Sequence, residues 1–412
     1  MITHFDGNLQ EAFRQIREQA EAMREELIAI RRDIHAHPEQ RFEEVRTAGI
    51  AAEHLKKLGI DVRTGVGKTG VVGVLRGGLG EGRIIGIRCD MDALPVQEQN
   101  DAPYRSCVDG SMHACGHDVH TTVAIGTARV LAGMRDRFRG AVKFVFQPSE
   151  ENPCGAVCGA LAMIGDGVLE NPPMDAILSL HCWPELTSGQ VGVGAGPAMA
   201  GSQAFRITMI GAQSHAATPQ KGRDAILGAA EIVSSIHHII PRQTDPSDMV
   251  ALNIGFIEGG SKFGTIAGKT VMEGSVRAIS KEMLEFIMDR VRDTVEGVSR
   301  ILDLKNEITI EGIYPPTIND PRLNDIVSAA ATHLLGPENV IVQTKCPMTS
   351  EDFSHFSDRI PAFYMKLGVF NDSLGIRFPL HSDRFDVDER CIGVGVSVLA
   401  ASALAYLNGQ GG

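Results

Sequence analysis

Three apolar runs in the first half of the chain each end in ionisable residues. Arg83 to Cys89 runs into Asp90-Met91-Asp92, and Ala141 to Phe146 runs into Gln147-Pro148-Ser149-Glu150-Glu151. Asp175 to Leu180 runs into His181-Cys182-Trp183-Pro184. Helical spacing marks residues 9–32, 43–58, 119–134 and 156–164. Strands alternating with helices predict βαβ units, hence an α/β fold with a mostly parallel sheet. In such sheets the ligand crevice lies outside the carboxyl ends of the strands. Polar residues far apart in sequence are therefore expected to converge there.

The texture changes at Gly189 to Gly196, where small residues dominate. Beyond it the pattern reads strand 203–210, helix 222–240, strands 249–256 and 269–278, helix 281–302 and strand 307–311. That β-α-β-β-α-β order is the ferredoxin-like signature. Tyr314-Pro315-Pro316 marks the return, followed by helix 320–335, strand 362–367 and helix 388–407. We expect a first domain made of residues 1–196 and 313–412, interrupted by an inserted unit at 197–312.

The chain has 412 residues, 43% hydrophobic and 22% charged, which accommodates two domains. Its net charge of −12 argues against nucleic acid and anionic membrane as partners, since both attract basic surfaces. Residues 1–32 are polar and charged, unlike a signal peptide, and no 18-residue apolar run predicts a membrane span. The 8 cysteines are scattered, which suits a reducing cytoplasm better than a disulfide framework. Cys154 and Cys158, one helical turn apart, read as packing residues first.

Ser111 to His120 carries one thiol, three imidazoles and a carboxylate in ten residues. Cys115 and His117 are two apart and can face one point. Thiolate with imidazole suits Zn²⁺, and less selectively Mn²⁺, Co²⁺ or Ni²⁺. A lone Cys-x-His is more often a structural cysteine beside surface histidines. Glu151, His181 and His381 downstream reverse that reading. Five ligands hold two ions if one bridges, and the Cys115 thiolate can bridge. Glu150 and Glu151 point different ways at a strand end. One can bind metal while the other faces water as general base, its pKa raised by its neighbour. Asp92 and Asp118 are candidates for carboxylates that orient ligand imidazoles. Asp90 reads equally as a turn cap, and His113 and His120 as structural groups.

Taken together, several segments resemble one known family: Asp-Met-Asp-Ala-Leu-Pro (90–95), Met-His-Ala-Cys-Gly-His-Asp (112–118), Gln-Pro-Ser-Glu-Glu (147–151), His-Cys-Trp-Pro (181–184), Ser-His-Ala-Ala (214–217), Glu-Asp-Phe (351–353) and Leu-His-Ser (380–382). The family is that of the dinuclear-metal peptidases: aminoacylases, desuccinylases and glutamate-releasing carboxypeptidases. The branch is that of the amidohydrolases, with hippurate hydrolase, N-acyl-amino-acid amidohydrolases and indole-acetyl-amino-acid hydrolases. The resemblance runs in order through nearly the whole chain. It implies a catalytic domain of the dinuclear zinc-exopeptidase type with a ferredoxin-like lid.

By that resemblance Cys115 bridges two divalent ions, His117 and His181 hold one, and Glu151 and His381 hold the other. Glu150 is the general base and later the acid. His215 matches a lid histidine that stabilises the oxyanion, often across a dimer. Arg277 and Asn253 match lid positions that in some relatives bind the substrate carboxylate. The lid implies a homodimer or homotetramer. Gly-Ala-Gln-Ser-His departs from the branch's commoner Gly-x-Gly-Gly-His, and Gln220 stands where a second histidine is frequent; both bear on substrate choice. The implied reaction is metal-dependent hydrolysis of the amide bond of an N-acyl amino acid. One alternative is hydrolytic deamination of an aromatic amine or other activated C–N centre on the same scaffold. Another is a peptide-binding protein without catalysis, against which the complete ligand set speaks.

Overall fold

The computed structural model describes residues 5–151 and 157–409. The expectation for Cys154 falls outside them.

An eight-stranded sheet forms the larger domain. In spatial order its strands are Asp61–Val66, Gly70–Arg76, Ala141–Gln147, Ile84–Asp90, Ala176–Thr187, Ala362–Phe370, Val191–Val193 and Val340–Val342. Neighbours run parallel from Ala141–Gln147 across to Ala362–Phe370, and the final pair is parallel too. The first two pairs, and Ala362–Phe370 with Val191–Val193, are antiparallel. The sheet is therefore mostly parallel, with four parallel pairs against three antiparallel ones and an all-parallel centre. The hairpin strand Asp61–Val66 is exposed along most of its length, so it shows no apolar run. Ala141–Gln147 is buried end to end and Ile84–Asp90 all but its first residue, because helices cover both faces.

Two helices differ from the sequence reading. The first helix is in fact two, Gly7–Ala22 and Arg24–Ala36, broken at Met23, and the second buries Arg31 and His35. Arg390–Leu407 is an 18-residue helix long and apolar enough to cross a membrane, contrary to the expectation that no such run exists. It is 78% buried against His117–Ala132, Pro321–Leu335 and Gly7–Ala22, which makes it the central core helix of this domain.

The second sheet is wholly antiparallel, in the order Val250–Gly259, Lys269–Ala278, Gly201–Ile210, Lys305–Tyr314. Helices Ala225–Ile236 and Lys281–Ile301 pack on it around Phe205, Ile207, Met272, Val276, Ile287 and Val291. Strand order and chain order together are ferredoxin-like. The unit touches the larger domain through the Lys281–Asp358 ion pair and through Arg277, whose Nη1 donates to the Met348 carbonyl at 2.9 Å.

His181 to Pro184 lie inside the strand Ala176–Thr187, not beyond its end. Alternation along that strand sends His181, Trp183 and Glu185 to one face. All three line the cavity described next.

Candidate metal centre and active site

The cluster begins with a glycine. Gly116 precedes the helix His117–Ala132 with φ 86°, and a Cβ there would meet Cys182 Sγ at 2.7 Å. Only glycine accepts both the left-handed backbone and that approach. The turn sets Cys115 just before the helix and His117 at its first residue. Cys115 Sγ lies 3.4 Å from His181 Nε2 and 3.3 Å from His381 Nε2. His381 Nε2 lies 3.0 Å from Glu151 Oε1. Donor atoms of Cys115, His117 and Glu151 lie within 4.8 Å of one another, and those of His117 and His181 fall in a second such group with Asp90 and His120. All five expected ligands thus meet. His381 has φ 64°, unusual for a non-glycine, and its amide bonds the Ala114 carbonyl at 2.8 Å. Strain of this kind persists where surrounding structure over-determines it.

Behind the donors stands a layer of buried carboxylates. Asp92 accepts the Glu150 and Glu151 amides at 3.0 and 2.9 Å, and its Oδ1 is 3.3 Å from His117 Nδ1. It holds the Glu pair and an imidazole together. Asp90 is no turn cap: it is fully buried, 2.5 Å from His120 Nδ1 and 2.8 Å from Arg88 Nη1. His120 accepts the Cys182 amide on Nε2 at 2.8 Å, so both its nitrogens are occupied and its role is structural. Asp118 departs from its expected place. Its carboxylate meets Arg31 Nε at 2.7 Å and His35 Nδ1 at 2.8 Å, which are not ligands, because it faces back towards the Arg24–Ala36 helix. His113 is buried with neither ring nitrogen hydrogen-bonded.

Sequence reasoning gave no role to Arg88, Glu351, Asp352 and Tyr364. Arg88 is buried and donates to Gln147, Asp90, Glu351 and Asp352. Tyr364 donates to Glu351 at 3.1 Å. The signal was present: an arginine inside an apolar strand needs buried acids, and Glu-Asp-Phe supplies two.

The electrostatics follow from this crowding. Burial, then Glu351, Glu151, Asp352 and Asp92, push the Glu150 carboxyl well above the ordinary carboxylate range. Burial, Glu151 and Glu150 push the Cys115 thiol up as well. Burial pulls His117 down, but Asp90, Asp92 and Glu151 outweigh it and raise the imidazole to about 10. Positive charge is what this group lacks. His117 Nε2 is buried with no hydrogen-bond partner, and its nearest carboxylate, Asp90, stands 3.8 Å away. One thiol, three imidazoles and a carboxylate so disposed fit a pair of borderline divalent cations, whose binding would displace protons from the thiol and imidazole.

The donors open onto a cavity of about 510 Å³ lined by Glu150, Trp183, Tyr364, Leu380 and, from the inserted unit, Arg277. The other two residues expected there from the inserted unit do not line it. His215 is exposed on a two-stranded ribbon with Thr265 and Ile266, and Asn253 is exposed on the edge strand, accepting from Ser275.

Residues 86–405 match Peptidase family M20/M25/M40. Thermostable carboxypeptidase 2 of Saccharolobus solfataricus is 35% identical over 384 residues, 93% of this chain and 95% of that protein. Hippurate hydrolase of Campylobacter jejuni is 34% identical over 378 residues, 92% and 96% of the two chains. The solved structure of a dinuclear metal binding peptidase of the M20 family from Bacillus subtilis superposes with a TM-score of 0.81 at 32% identity, covering 94% of this chain and 99% of that one. The chain belongs to peptidase family M20/M25/M40 and is a hydrolase.

Proposed function

We propose that this protein hydrolyses the amide bond of N-acyl amino acids, with two divalent ions held by Cys115, His117, Glu151, His181 and His381. The observation that supports this reading best is the meeting of those five donors beside Glu150 at the floor of a cavity that also receives Arg277. Bound there, two ions would lower the pKa of water and polarise the amide carbonyl. Mn²⁺ or Zn²⁺ suits the donors best, with Co²⁺ and Ni²⁺ as alternatives.

Glu150 takes the proton from the attacking water and returns it to the departing nitrogen. Arg277 holds the carboxylate of the amino acid half. Trp183 walls the acyl side: it lines the cavity, and the Lys366 ammonium stands 4.1 Å from its ring centroid. A flat aryl acyl group stacks there at low entropic cost. The hippurate hydrolase relative, named for an aryl-acyl amino acid, agrees with that choice.

The exposed His215 and Asn253 reach a reacting substrate from a second copy, docked through the inserted unit in a homodimer or homotetramer. The compartment we infer is the cytoplasm, which suits the free thiols of the described cysteines.

The test is a panel of acetyl-, benzoyl- and indole-acetyl-amino acids, assayed after chelation and reconstitution with each of the four ions. Release of free amino acid is expected only from the reloaded protein. Ammonia from simple aryl amines, with every N-acyl amino acid intact, would move the assignment to a deaminase.

A further inference from the structure

The turn that carries Glu150 and Glu151 is held at three consecutive amides. Asp92 takes the last two. The first, Ser149 N–H, goes to a residue remote from the donor set: Glu44 Oε1, at 2.9 Å. Glu44 is 0% exposed. The same oxygen accepts the Phe42 amide at 2.8 Å, and Oε2 accepts the Thr69 hydroxyl at 2.5 Å. Ser149 and Phe42 both have left-handed backbone, with φ 50° and 58°, although neither is glycine. Two residues in sparsely populated conformations thus converge on one carboxylate oxygen. Such conformations persist only where outside contacts hold them, and they gather at functional sites.

The geometry points to Glu44 as a positioning residue for the Ser149–Glu151 turn: by fixing the Ser149 peptide it sets the direction in which Glu150 and Glu151 leave the strand Ala141–Gln147. The inference rests on the roles proposed above for those two glutamates. It has a physical reason. Ser149 turns the chain with left-handed backbone, and its buried amide, directed away from the sheet, needs an acceptor, which Glu44 supplies. Glu44 comes from the segment before the helix Val45–Lys57 and shares its carboxylate with Thr69 of the hairpin turn. It therefore ties three separate stretches to the one bend on which the chemistry depends.

Acceptor placement, not charge, is what this role requires. Burial pushes the Glu44 carboxyl up to about 7, against the pull of Thr69. A neutral amide is then a fair mimic. Glu44→Gln keeps an oxygen for both amides and presents its NH₂ to the Thr69 oxygen. Glu44→Asp keeps the acid but withdraws it from Ser149.

Both variants are measured beside the wild type for kcat and KM on an N-acyl amino acid, and for Co²⁺ affinity of the metal-free protein by calorimetry. Glu44→Gln should stay close to the wild type in both. Glu44→Asp should lose about 10²-fold in kcat with little change in KM, the cost of misplacing a catalytic group by about 1 Å. Its Co²⁺ affinity should fall about 10–100-fold, since Glu151 shares the turn. If Glu44→Asp keeps wild-type kcat and Co²⁺ affinity, or if Glu44→Gln falls as far as Glu44→Asp, the assignment is overturned. If the wild type cleaves no N-acyl amino acid, the functional proposal fails instead, and the Co²⁺ affinities still decide the role of Glu44.

Discussion

Cys115 Sγ and His381 Nε2 stand 3.3 Å apart across 266 residues of chain. The thiol sits against two imidazoles and two carboxylates that raise or share its proton, so it is the donor whose removal most disturbs the cluster. Cys115→Ala should lower bound metal from two ions per subunit to one or none, measured by mass spectrometry after gel filtration. Its melting temperature in chelator should fall by no more than a few degrees, because the change removes a single buried sulfur. Two ions retained in the variant would rule out a bridging thiolate.

Glu150 and Glu151 divide along the same line. Glu151 contacts His381, whereas Glu150 sits among Glu351 and Asp352 at the cavity wall. Glu150→Gln should keep both ions and lose about 10²–10⁴-fold in kcat, the range of a lost general base. Glu151→Gln should lose metal first. Equal metal loss in both would assign both carboxylates to coordination.

Arg88 is the cation on which three carboxylates depend. It is buried among Asp90, Glu351 and Asp352, at 2.8, 2.9 and 2.8 Å. Replacing it by Met strands negative charge in the interior. Losing one member of a buried pair costs about 3–5 kcal/mol. Urea unfolding of Arg88→Met should show that loss. A change under about 1 kcal/mol would mean that those acids are protonated or already hydrated.

The sequence pattern was legible where chemistry and periodicity coincide. Apolar strands running into acids pointed to the crevice, Cys-x-His before a helix pointed to a thiol and an imidazole, and the β-α-β-β-α-β order announced the second sheet; that His181 sits within its strand was not readable from the apolar run. The strand Asp61–Val66 was hidden because its exposed residues carry no apolar signal. Asp118 was misplaced for a related reason. Adjacency to His117 suggested a shared site, but at a helix start successive side chains fan apart, and Asp118 turns to Arg31. Glu44 was invisible because its meaning lies in two backbone amides, and no residue type reports those.

His35 offers a readout of that second network. Burial and Arg31 pull its pKa down, but Asp118 and Glu98 outweigh them, and it lies above the usual value of about 6.5. A histidine raised on folding stabilises the folded state fully below its unfolded pKa. That stability is lost as pH rises through the folded value. Urea unfolding of the metal-free protein should therefore weaken from pH 6 towards alkaline pH. Glu98 and Asp118 are the partners, so His35→Gln should flatten that part of the profile. An unchanged slope in the variant would assign it to another group.

The inserted unit carries the last prediction. Its edge strand Val250–Gly259 pairs on one side only, and Phe256, Ile257 and Phe263 are 44%, 54% and fully exposed. An open edge with apolar side chains invites a second chain. His215 and Asn253 on the same unit do not line the cavity beside the donors. If a second copy brings them to the donors, Ile257→Lys with Phe263→Ser should give a monomer by light scattering. It should also lose activity about as far as His215→Ala does, roughly 10²–10³-fold for a missing oxyanion donor. Mixing His215→Ala with Glu150→Gln should restore part of the lost turnover, since a mixed dimer holds one site with both groups intact. A monomer of full activity, or no recovery on mixing, would place every group the reaction needs within one subunit.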